Sequence, residues 1–120
     1  MEDSANTTWK VFGFYLLIIF FMLLAGSSTA QIVVTEFNAD WNKSNKVEWL
    51  EELEDCDVTK VDIVEHPKFQ KKHKIVVVPT IIIFKDGIEV KRFQADISFS
   101  MKATKEETQE VINEQLMSDF

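Results

Sequence analysis

At 120 residues the chain has room for one domain, and a formal net charge of −7 argues against nucleic acid as its partner. Its composition is that of a globular protein, 46% hydrophobic and 28% charged, with an unusual share of Phe. A single cysteine, Cys56, excludes an intrachain disulfide.

From Val11 to Thr35 there is no charged residue, and Val11–Gly26 (VFGFYLLIIFFMLLAG) is apolar nearly throughout. A helix apolar on every side does not suit the surface of a small domain; it reads as a signal-peptide core or a membrane segment. Ser28, Thr29 and Ala30 supply the small residues of a signal cleavage site, with cleavage before Gln31. Glu2 and Asp3 depart from the basic start of a secretory signal, so the alternative is an uncleaved anchor extending to Ala30. The expected division is therefore residues 1–30 as signal or anchor and 31–120 as an exported domain, periplasmic or secreted. A membrane contact is expected only through residues 11–30.

Gln31–Phe37 (QIVVTEF) reads as a strand, followed by turn chemistry over Asn38–Asn42. Lys46 to Leu53 reads as a helix, with Val47, Leu50 and Leu53 inward and Glu48, Glu51 and Glu52 toward water. Val58–Val64 alternates as a strand. Pro67 opens a second helix that is rich in Lys and suits its own C-terminal dipole. Val76–Phe84 and Ile88–Phe93 form a hairpin around Asp86-Gly87, with Pro79 at the beginning of a continuously apolar strand. Gln94–Ala103 is polar and irregular. Thr104 and Glu107 fit a capping box for a last helix whose inner face carries Val111, Ile112 and Leu116. The order β-α-β-α-β-β-α makes an α/β fold, a mixed sheet with helices on both faces.

No chemistry is legible from local motifs. His66 and His73 have no further ligand at metal spacing, so no metal site is expected. Residues 31–120 hold only Gly87, which leaves no Gly-rich phosphate loop and no expected cofactor.

Phe37–Lys46 (FNADWNKSNK) lines up without a gap against the Phe-Trp-Ala-(Glu/Pro)-Trp-Cys-Gly-Pro-Cys-Lys of thioredoxins. Val58–Thr80 also aligns without a gap and sets Pro79 on that family's cis-proline. The chain thus resembles the thioredoxin-like family, in a form lacking the first strand and helix. The resemblance implies a thioredoxin fold, with Glu36 on the family's buried acid and Lys60 on its neighbouring lysine, a candidate buried ion pair. It also implies that the two active-site cysteines are replaced by Asn42 and Asn45, so the site is degenerate and redox-inactive. An amide can neither attack a disulfide nor leave from one. Asn42 or Ser44 remains suited to cap the helix that follows.

What the resemblance leaves is a groove formed by Trp41, Val77, Val78 and Pro79, with Ala95 where the family has Gly. It would accept an extended peptide or protein segment without reacting with it. The competing expectation is a divergent thiol-disulfide oxidoreductase acting through Cys56 and a partner's thiol. Glu54, Asp55 and Asp57 surround that cysteine and disfavour its thiolate.

Overall fold

The computed structural model describes residues 31–118, so the expectation of a signal or anchor over residues 1–30 lies outside the described residues. Strand β1 (Ile32–Asn38) is buried along almost its whole length. It pairs in parallel with β2 (Asp57–Asp62) and antiparallel with β3 (Thr80–Lys85). β3 turns back into β4 (Ile88–Gln94), giving a mixed four-stranded sheet in the order β2-β1-β3-β4. The hairpin turn is the one expected: Asp86 and Gly87 both take positive φ, 51° and 83°. A two-residue turn of this hand matches the strand twist.

Alternation along β1 divides the core into two. Ile32 and Val34 point to one face, where they meet Ile81, Ile83, Leu50 and Ile112 of helix α2 (Lys105–Met117). Phe37 points to the other, with Ile82, Val78 and Ile63, and Phe69 of helix α1 (Pro67–Lys72) packs against them. Helices therefore cover both faces, as an α/β layered fold requires. Pro67 stands in the first turn of α1, as expected. Thr104 caps α2 by accepting from the Glu107 amide at 3.1 Å. Ile112 and the unforeseen Thr108 are its fully buried residues, while Val111 and Leu116 are only partly covered.

Two boundaries differ from expectation. Val76–Pro79 does not join β3, because the chain bends there: the Thr80 hydroxyl donates to the Val77 carbonyl at 2.6 Å, and the Val78–Pro79 peptide is cis. The α-helix expected over Lys46–Leu53 is absent. Within that stretch only a short 3₁₀ turn forms, Leu50–Glu52, and another, Asp40–Asn45, precedes it. Lys46 (ψ 150°) and Leu53 (ψ 144°) are extended and bound the run on both sides, and the Val47 amide between the turns donates to the buried Glu36 carboxylate at 2.8 Å. Val47, Leu50 and Leu53 are nonetheless buried, as their spacing implied.

His73 sits just past α1 between the rings of Phe37 (5.3 Å) and Phe84 (5.5 Å). Burial, with a smaller effect from Lys72, pushes its pKa below the usual imidazole value. A depressed basic group contributes stability that is complete above its unfolded pKa and is lost as pH falls through the folded one. The urea midpoint should therefore decline below about pH 6.5, and His73→Phe should remove that component of the decline. An unchanged acid profile in the variant would contradict this. Ile112→Ala, a large-to-small change in the core, should cost about 2–5 kcal/mol by the same denaturation.

Candidate functional site

The end of β1 delivers the chain into the first 3₁₀ turn, whose Asn42 is almost fully buried. A buried amide needs partners for both its donors and its acceptor. Asn42 Nδ2 donates to Asn38 Oδ1 at 3.1 Å and to the Phe99 carbonyl at 3.1 Å, with a longer contact to the Val78 carbonyl at 3.5 Å. Asn42 Oδ1 accepts from Asn45 Nδ2 at 2.9 Å. The two residues marked by the sequence as a degenerate pair are thus bonded to each other. Through Asn42 they also join the end of β1, the loop before Pro79 and the loop before α2. Neither Asn42 nor Ser44 caps a helix as expected; the N-cap of this turn is Ala39, without a side-chain bond.

The four residues expected to line a groove fare differently. Trp41 is 63% exposed, and Val77 is half-buried. Val78 and Pro79 are buried, with Val78 packed among Phe37, Ile82 and Ile75, so a bound segment would meet their backbone and not their side chains. The Ala95 amide donates to the Pro79 carbonyl at 3.0 Å and ties the next loop to this one. Phe99, which the sequence reading passed over as part of an irregular stretch, stands edge-on against Trp41 with ring centroids 5.4 Å apart. Ile97 beside it is 97% exposed. Three large apolar residues, Ile97, Phe99 and Met101, in a stretch otherwise of small and polar residues were the signal that could have singled it out.

Glu36 is 3% exposed and lies on the same sheet face as Lys60, its β1–β2 register partner. The expected buried ion pair is not formed. Lys60 Nζ binds the exposed Glu51 at 2.9 Å, while one Glu36 oxygen holds the Val47 amide. A partly exposed strand edge lets the lysine reach solvent, which lowers the cost of its charge. Beside Glu36 opens a cleft of about 320 Å³ with Lys43, Lys46 and Lys60 among its lining residues. Burial raises the Glu36 pKa, against smaller lowering effects of the Val47 amide, Lys60 and Lys46.

Cys56 is half-buried at the opposite end of the sheet from Asn42. Its neighbour Asp57 pairs with Val33, whereas Asn42 follows Asn38, so the strand separates them by roughly 16 Å. Burial, then Asp57 and Asp55, push its thiol up to about 11. A thiol so placed carries little thiolate at neutral pH. Among the described residues no cluster of His, Cys, Asp or Glu could hold a metal, and no helix is long and apolar enough to cross a membrane.

A parallel β1–β2 pair, an antiparallel β3–β4 hairpin begun by a cis-proline and helices on both faces define a thioredoxin-like domain. A family model described as Thioredoxin matches residues 24–113, and the chain belongs to the thioredoxin family. Solved structures agree. Thioredoxin of Fasciola hepatica is 28% identical, with a TM-score of 0.54 over 76% of this chain and 86% of that one. A point mutant of a thioredoxin from Halobacterium salinarum is 24% identical, with a TM-score of 0.59 over 72% of this chain and 75% of that one. Schistosoma mansoni thioredoxin, also 24% identical, gives a TM-score of 0.56 over 76% and 82%. A search of curated proteins gave no match.

Two substitutions probe the site. Asn42→Ala leaves acceptors from three segments without their donor and should cost about 1–3 kcal/mol in urea denaturation; a loss near zero would show the network to be dispensable. Glu36→Gln keeps an acceptor for the Val47 amide and removes the buried charge. A carboxyl raised in the folded state contributes stability that is present below its unfolded pKa and lost as pH rises through the folded one. The variant should therefore exceed the natural chain in stability at pH 7–8, with the difference closing toward pH 4. A variant less stable at pH 8 would contradict the assignment.

Proposed function

We propose that this chain is a non-catalytic binding module of the thioredoxin family, which holds an extended peptide or protein segment at Trp41 and the Val77–Pro79 loop. The observation that carries the reading is the Asn42–Asn45 bond: the positions that align with the family's dithiol hold two amides satisfied by each other and by backbone. Thiol exchange needs an accessible thiolate at the attacking position. The sole thiol, Cys56, is remote from this loop and shifted away from ionisation. Support for binding comes from the exposed Trp41, from the Phe99 ring against it, and from main-chain groups of the loop before Pro79. Extended polypeptide is recognised by such backbone groups, with an aromatic anchor supplying apolar area.

The domain is proposed to act outside the cytoplasm. It would be released by cleavage before Gln31, or be held at a membrane by residues 11–30 if they are retained. N-terminal sequencing of protein from fractionated cells decides between these: a Gln31 start in the soluble envelope fraction fits cleavage, and an intact Met1 in the membrane fraction defeats it.

Binding is tested with the full chain in detergent micelles, its Trp indoles labelled with ¹⁵N. A pool of unstructured decapeptides should shift the Trp41 indole resonance, identified by its disappearance in Trp41→Phe. Shifts confined to Trp9 or Trp49, or none at saturating peptide, would remove the groove from the account.

A further inference from the structure

The Trp41 groove is not empty: a loop of the same chain is seated on it. Between β4 and α2 the chain makes a tight turn in which the Phe99 amide donates to the Asp96 carbonyl at 3.0 Å. The Ser98 hydroxyl bonds both the Asp96 carboxylate and, at 2.7 Å, the Ser100 hydroxyl. Lys102 pairs with Asp96 at 3.5 Å and braces the turn from its far side. This geometry presents Phe99 with φ of 60°, a conformation that disfavours a bulky aromatic residue. It directs two groups at the site. The Phe99 carbonyl accepts a hydrogen bond from Asn42 Nδ2 at 3.1 Å, and its ring lies nearly perpendicular to that of Trp41, yet the residue stays 42% exposed. A phenyl ring held in a costly backbone conformation and only half covered is poorly secured by its own fold.

We infer that Phe99 is a stand-in for the partner, and that binding is an exchange. An extended segment bearing an aromatic side chain displaces the loop. Its main-chain carbonyl replaces that of Phe99 at Asn42 Nδ2, and its ring replaces that of Phe99 against Trp41. This rests on the binding-module reading and adds the chemistry of the partner: a main-chain acceptor and an aromatic ring in the relation that Phe99 itself has. Asn42 becomes a recognition residue, since its amide already spans the loop before Pro79 and the displaced loop. Because the groove must first be vacated, the natural chain binds more weakly than the open groove would, by the fraction of molecules in which the loop has left.

Two blocked peptides serve as probes: one with the sequence of residues 95–102, and a counterpart with Ala in place of its Phe. Each is titrated into the full chain and into Phe99→Gly, followed at the Trp41 indole resonance. Gly adopts the φ of position 99 without strain and keeps the carbonyl, so the variant vacates the ring site alone. Should Gly loosen the domain, as read by circular dichroism, Phe99→Asn replaces it, since Asn tolerates the same backbone. The Phe peptide is expected to bind the variant about tenfold more tightly than the natural chain, and the Ala peptide at least about tenfold more weakly than the Phe peptide. Equal affinity of the two peptides, or equal affinity of the two chains, overturns the exchange. If pool peptides move Trp41 in the natural chain without regard to aromatic content or to Phe99, the exchange fails and the binding module stands. If no peptide moves Trp41 in either chain, both fall.

Discussion

The side-chain amide of Asn42 is the point through which the functional end of this domain is held. It lies where β1 ends, and it reaches Asn38 on that strand, Asn45 in its own turn, the Val78 carbonyl before the cis-proline and the Phe99 carbonyl before α2. Three loops that are distant in sequence are thereby given one arrangement. A pair of thiols could not do this, because sulfur is a weak donor and acceptor. Amides at these positions form a clip that thiols could not. Through the Phe99 carbonyl that clip joins the loop before α2 to the turn that carries Trp41.

Glu36 supplies a second constraint, one layer deeper. A carboxylate buried on the core face of β1 must find a donor, and it takes the Val47 amide. Around that bond the chain from Asp40 to Leu53 forms two short 3₁₀ turns, with no α-helix over Lys46–Leu53. Lys60, opposite it in the sheet, turns outward to Glu51, and burial raises the Glu36 pKa. The acid thus ties β1 to the segment that follows Asn45.

Much of the fold was legible because it rests on local signals. The Asp86-Gly87 turn, Pro67 at the first turn of α1 and the Thr104 cap each has one cheap conformation, and each was found where its residues placed it. The α-helix over Lys46–Leu53 was misread for a physical reason. Val47, Leu50 and Leu53 recur every three residues, a spacing that suits a 3₁₀ period as well as an α one, so their burial alone does not select between them. The site divides in the same way. That Asn42 and Asn45 stand in for cysteines could be read from the sequence by resemblance, whereas the exposure of Trp41 could not. The partners of the Asn42 amide could not, since Val78 and Phe99 approach it only in three dimensions. Phe99 also depends on a positive φ that no propensity for Phe would suggest.

The claim that the scaffold binds without redox chemistry is tested most directly by returning the thiols. The full chain and an Asn42→Cys/Asn45→Cys variant are compared in a disulfide-reductase assay driven by dithiothreitol and, separately, by a thioredoxin reductase. The account predicts that the natural chain does not exceed the uncatalysed rate and that the variant reduces disulfides, because the loop, the buried acid and the cis-proline are already in place. Turnover by the natural chain, abolished in Cys56→Ser, would contradict it and make Cys56 the reactive centre.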